Sequence, residues 1–83
     1  MTSSPLPAII SWIEDAAAPR FGAVDVTPET PLLEEQLLDS LQLMDLVYHL
    51  EETQGVTIPL EMLTPENFAT PNAVAQMLAK AAA

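Results

Sequence analysis

Eight prolines punctuate this 83-residue chain and confine regular structure to the stretches between them, because proline lacks a backbone donor and clashes with the preceding turn of a helix. Pro5 and Pro7 are tolerable where a helix begins. Behind them, Leu6, Ile9, Ile10, Ile13 and Ala17 recur at helical spacing, and Pro19 is expected to stop this first helix. Arg20 to Gln36 contains Gly22, Pro28 and Pro31 and no sustained period, which predicts a long loop anchored by Phe21, Val24, Leu32 and Leu33. Loops of that length in compact domains are usually functional or disordered.

The start of the second helix can be placed to the residue. Asp39 is a good N-cap and Gln42 follows three positions later, so Asp39-Ser-Leu-Gln42 has the form of a capping box with Ser40 as the first helical residue. The pattern runs to about Thr53 and is closed by Gly55. Val56-Thr-Ile-Pro59 reads as an extended link, Pro65 to Phe68 as a brief helical turn, and Thr70-Pro71 as the capped start of a last helix with a stripe of Val74, Met77 and Leu78. The alanine-rich tail, residues 79–83, is expected to fray. No segment alternates as a strand. The expected fold class is all-α: one domain over residues 1–83, a small bundle of three main helices plus one short helix, with a long loop between the first and second helices.

Composition excludes several functions. Twelve Asp+Glu against two Lys+Arg give a net charge of −10, so the chain lacks the basic patch that nucleic acid requires and an anionic membrane would repel it. Without cysteine there is no disulfide, thiolate metal site or thiol nucleophile. No run approaches the ~18–20 apolar residues that cross a bilayer, and Met1-Thr-Ser-Ser-Pro-Leu-Pro lacks the pattern of a signal peptide, so a soluble cytoplasmic monomer without membrane insertion is expected. An apolar content of 49% still predicts a folded core.

On a wheel of about 100° per residue from Ser40, Leu43, Met44, Leu46, Val47 and Leu50 fill one arc, which is expected to pack inward. Gln42, Asp45, His49 and Glu52 take the opposite face. Leu41 and Tyr48 fall beside that acidic face, where an exposed apolar pair makes a docking surface. From Glu34 to Glu52 the chain holds Glu34, Glu35, Asp39, Asp45, Glu51 and Glu52 and no cation, a distribution that steers basic partners. The bland reading of such a face is solubility.

Other chemistry has little support. His49 is the only histidine, lies on the solvent face of the wheel without a paired nucleophile or a second histidine, and reads as a surface residue. Asp25-x-Thr-x-Glu29 lacks the turn glycine of a calcium loop. The adjacent pairs Glu34-Glu35 and Glu51-Glu52 diverge on a helix and share no proton. Met44, Met62 and Met77 read as core fillers, and Trp12 lies off the main stripe, against a loop or in solvent. Neither a catalytic residue nor a metal site is expected.

Gln36-Leu-Leu-Asp39-Ser40-Leu41, followed by an acidic helix through Glu52, Ile58-Pro59, a short helix and a threonine-led final helix, resembles the acyl carrier and peptidyl carrier proteins. Leu37-Leu-Asp-Ser40 and Asn67-Phe-Ala-Thr-Pro71 are more similar to the D-alanyl and other aminoacyl carriers than to those of fatty-acid synthesis. The resemblance implies that Ser40 carries covalent 4'-phosphopantetheine, transferred from coenzyme A by a phosphopantetheinyl transferase. The arm's thiol would hold an acyl or aminoacyl group as a thioester, loaded by a ligase or adenylation enzyme and passed to a downstream synthase or transferase. It also implies that Asp39, Leu41, Asp45, Tyr48, Glu51 and Glu52 meet partner enzymes. Many carriers have a glycine shortly before Asp-Ser, where this chain has Gln36-Leu37-Leu38, and an aromatic where Gln54 stands. The competing function class is an unmodified acidic helical adaptor that binds a basic protein through the second helix.

Overall fold

The computed structural model describes residues 4–82; Met1 to Ser3, the opening of the segment read above for a signal peptide, and Ala83 lie outside the described residues. Three α-helices, α1 (Leu6–Phe21), α2 (Ser40–Gln54) and α3 (Pro71–Ala82), are joined by the long loop and by two 3-10 turns, Leu60–Met62 and Pro65–Phe68. No strand occurs among the described residues. The all-α bundle with a long first connection is as expected, and the turn at Leu60–Met62 is an addition to it. No helix is long and apolar enough to cross a membrane among the described residues.

Each helix contributes a stripe to one dry core: Ile9, Ile13 and Ala17 from α1, Leu46, Val47 and Leu50 from α2, and Val74, Met77 and Leu78 from α3. Val26, Leu32, Leu37, Leu38, Ile58 and Phe68 close it from the connections. No polar or charged side chain is buried among the described residues. The polar groups instead tie the connections at the rim. Glu14 accepts a hydrogen bond from Val26 N–H (3.0 Å), Asn72 N–H donates to the Pro28 carbonyl (3.0 Å), and Leu32 N–H donates to the Ala69 carbonyl (2.8 Å). These bonds hold the long loop against α1 and the start of α3.

Pro19 does not stop α1. The helix passes through it for two more residues and ends at Gly22, whose N–H donates to the Ala18 carbonyl at 2.8 Å and whose φ of 74° and ψ of −157° suit glycine alone. The carbonyl that Pro19 deprives of its helical donor belongs to Asp15, an exposed residue that water can reach. Phe21, expected to anchor the loop, is exposed instead, with the Arg20 guanidinium 5.1 Å from its ring centre. At the other end of the chain, α3 stays helical through Ala82, across most of the tail expected to fray.

The loop reaches α2 through a single helical turn over residues 32–36. Leu37 N–H donates to the Leu32 carbonyl (3.0 Å) and Gln36 N–H to the Leu33 carbonyl (3.2 Å), the paired bonds of a Schellman closure. The left-handed position of that closure is Gln36, at φ 55°. A side chain there costs about 1–2 kcal/mol, while glycine would lose about 0.4–1 kcal/mol through its freer unfolded state. Gln36→Gly is therefore expected to stabilise the domain by about 0.5–1 kcal/mol in urea unfolding at constant m-value. A glycine variant no more stable than the parent would show that the turn is unstrained.

Candidate functional site

The geometry around Ser40 begins with its neighbours. Asp39 is extended (φ −93°, ψ −179°) and its carboxylate accepts from Gln42 N–H at 2.8 Å, while the Gln42 side-chain oxygen accepts from Asp39 N–H at 3.2 Å. The capping box is complete, and Ser40 is the first residue of α2, as its sequence requires. Ser40 is exposed, and among the described residues its hydroxyl has no hydrogen-bond partner. It also borders an apolar groove of about 280 Å³, walled by Leu43, Met44 and Val47 of α2 and by Leu63, Pro65 and Phe68 across from them.

Ser40 heads an exposed strip along α2. Leu41 (77% exposed) and Tyr48 (63%) stand out in solvent as the wheel predicts, with Asp45 and Glu52 beside them. Met44 (52%) joins them, a correction to its expected place in the core. Of the other methionines, Met77 is buried and Met62 half-buried. Glu52, by hydrogen bonding to Tyr48 and then by its charge, raises the phenol's pKa above its ordinary value.

The buried side of α2 is turned toward α1 relative to the expected arc. Gln42 and His49, expected in solvent, are half-buried. The Gln42 amide donates to the Ala16 carbonyl at 2.9 Å, and the His49 ring packs 6.0 Å from that of Trp12, which settles where the tryptophan goes. Glu51 is half-buried too and accepts from Ile58 N–H at 2.8 Å, so its carboxylate fastens the link after α2. Gln54 is exposed and borders a second groove at the far end of α2.

Sequence reasoning missed one element of the site altogether. Arg20, at the end of α1, donates through Nη2 to the carbonyls of Gln36 (3.2 Å) and Leu37 (2.8 Å) and to the Gln42 side-chain oxygen (3.1 Å). These partners lie 16 to 22 residues away along the chain, and no local spacing rule relates them. The described residues bring no three potential metal ligands together.

Comparison with known proteins agrees with this geometry. Residues 11–78 match the family model described as "Phosphopantetheine attachment site". The chain is also 33% identical over 57 residues to a D-alanyl carrier protein of Bacillus pumilus (strain SAFR-032), a match covering 69% of this chain and 73% of that protein. With its three-helix fold and an exposed serine opening the second helix, the chain belongs to the phosphopantetheine-attachment family of carrier proteins.

Proposed function

We propose that Ser40 is the attachment residue and that the protein is a discrete, non-catalytic carrier of an acyl or aminoacyl group. The observation that carries this reading is the placement of Ser40: an exposed, unengaged hydroxyl on the first residue of α2, inside the matched segment and at the head of the apolar and acidic strip. Its oxygen would take the phosphopantetheine phosphate from coenzyme A, with the nucleotide half leaving. The start of α2 favours the resulting anion through free N–H groups and the positive end of the helix dipole. Once attached, the group supplies a thiol that holds cargo as a thioester. Incubation with coenzyme A and a broad-specificity phosphopantetheinyl transferase is expected to raise the intact mass by one phosphopantetheine group. An unchanged mass would favour the unmodified adaptor.

Leu41, Asp45, Tyr48 and Glu52, with Asp39 at the helix start, form the surface that we assign to the transferase, the loading ligase or adenylation enzyme and the downstream enzyme. Glu51 can add its charge but already holds Ile58 N–H. Asp45→Lys is expected to slow association with such an enzyme and to leave stability within about 0.5 kcal/mol. The kinetic effect should fade as salt rises and screens the charges. An effect independent of salt would place Asp45 outside the encounter surface.

The likeness to a D-alanyl carrier and the motifs Leu37-Leu-Asp-Ser40 and Phe68-Ala-Thr-Pro71 favour a cargo of amino-acid size. A long chain could rest in the groove beside Ser40, but to go deeper it would have to displace Leu46, Leu50 and Val74, each at most 1% exposed. Holo protein loaded with an alanyl thioester is expected to keep the amide shifts of those three residues. Large shifts there with an octanoyl thioester, together with a raised Tm, would show a receptive core and overturn the small-cargo assignment.

A further inference from the structure

We infer that Arg20 is a positioning residue for the modification of Ser40, holding the turn before α2 in the conformation that a transferase engages. The inference rests on the assignment of Ser40 above. Arg20 grips the chain on both sides of the serine, at the Gln36 and Leu37 carbonyls before it and at the Gln42 side chain after it. Gln42 is tied in turn to α1 through the Ala16 carbonyl. The last turn of α1 thus supplies an external frame for the capping box that places Ser40.

The frame sits where the backbone needs it. Gln36 occupies a left-handed conformation that glycine adopts more easily, so the turn is one that a side chain tends to leave. Arg20 is one of only two Lys or Arg residues against twelve acids, yet these three hydrogen bonds all go to uncharged oxygens. All three come from Nη2, whose two N–H groups are shared among the three oxygens and are held in the plane of an always-charged guanidinium, whereas an ammonium is a compact point charge free to rotate. Its charge is also favourable at the C-terminal end of α1.

Loss of this grip would let the turn populate other conformations. An enzyme that binds only the native turn then shows an apparent affinity reduced by the native fraction, so KM rises while kcat is kept. If that fraction falls to between a half and a tenth, KM rises roughly two- to ten-fold. A purely structural role would instead lower Tm and speed exchange throughout the domain.

The test combines transferase kinetics with amide hydrogen exchange on the full, unmodified chain. Arg20→Ala is expected to raise KM for transfer with kcat unchanged, and to speed exchange at Gln36, Leu37, Asp39, Gln42 and Leu43, whose N–H groups are hydrogen-bonded in the turn and the cap, while Ile13, Val74 and Met77 keep their protection. Arg20→Lys, which retains the charge, should fall between Arg20→Ala and wild type in both readouts. Wild-type values for Arg20→Ala would overturn the inference, as would loss of protection spread evenly over the domain. Should Arg20→Ala fail to fold, wild-type values for Arg20→Lys would overturn it. A wild-type chain that gains no phosphopantetheine refutes the Ser40 assignment itself, and the exchange arm, which needs no transferase, still decides whether Arg20 holds the turn.

Discussion

Ser40→Ala is expected to abolish the gain of phosphopantetheine and leave the domain folded. The two effects separate because Ser40 contributes nothing to the cap: the hydrogen bonds that start α2 run between Asp39 and Gln42, and the serine side chain is exposed. Alanine is a good helix former, so the change should stay within about 0.5 kcal/mol of wild-type stability. Ser4 and Ser11 are also exposed, and Ser3 lies outside the described residues. Peptide mapping of any residual adduct therefore matters as much as the mass. A folded Ser40→Ala protein that still gains the group, with the adduct on one of those serines, would move the attachment site.

Leu50→Ala should show the opposite pattern, a large loss of stability. Leu50 is 1% exposed and packs in the cluster shared by all three helices, and truncating such a leucine costs roughly 2–5 kcal/mol. At about 0.05–0.15 kcal/mol per residue, a domain of this size has about 4–12 kcal/mol in all, so the variant would lose a large share of its stability. Leu41→Ala, on the same helix but 77% exposed, should stay within about 0.5 kcal/mol and weaken only the productive encounter with partner enzymes. Urea unfolding of the pair gives the comparison. Equal destabilisation by the two substitutions would mean that Leu41 belongs to the core and is no part of a docking surface.

The features legible in the sequence are those whose causes are local. The start of α2 follows from a capping box spanning four residues, its end from Gly55 in a left-handed cap, and the start of α3 from the Thr70 side chain accepting from Ala73 N–H. The wheel puts Leu41 and Tyr48 in solvent, where they stand, because wheel angles report relative direction along one helix. A wheel does not say where the neighbours stand. The wheel therefore sets the side of α2 facing α1 too far from Gln42 and His49, and sets Met44 inward although it is exposed. The passage of α1 through Pro19 and the exposure of Phe21 likewise depend on what surrounds the end of that helix. Arg20 is the least legible of all, because two of its three partners are backbone carbonyls, which every residue type carries, and the third lies 22 residues away.

The separation between a wholly apolar core and the strip of Leu41, Met44, Asp45, Tyr48 and Glu52 bears on how such a chain can change over generations. Leu41, Asp45, Tyr48 and Glu52 are exposed and substitutions there cost little stability, so on the proposed reading partner preference can drift or be selected without the loss of fold that most mutations risk. At the cap and turn that lead into α2 that freedom disappears. Asp39, Gln42 and Arg20 hold the helix start and, on the proposed reading, also place the serine beside it, so a change that improved one would be filtered by the other. Variation among descendants of this chain should accordingly accumulate from Leu41 toward Glu52, while the turn around Ser40 stays nearly fixed.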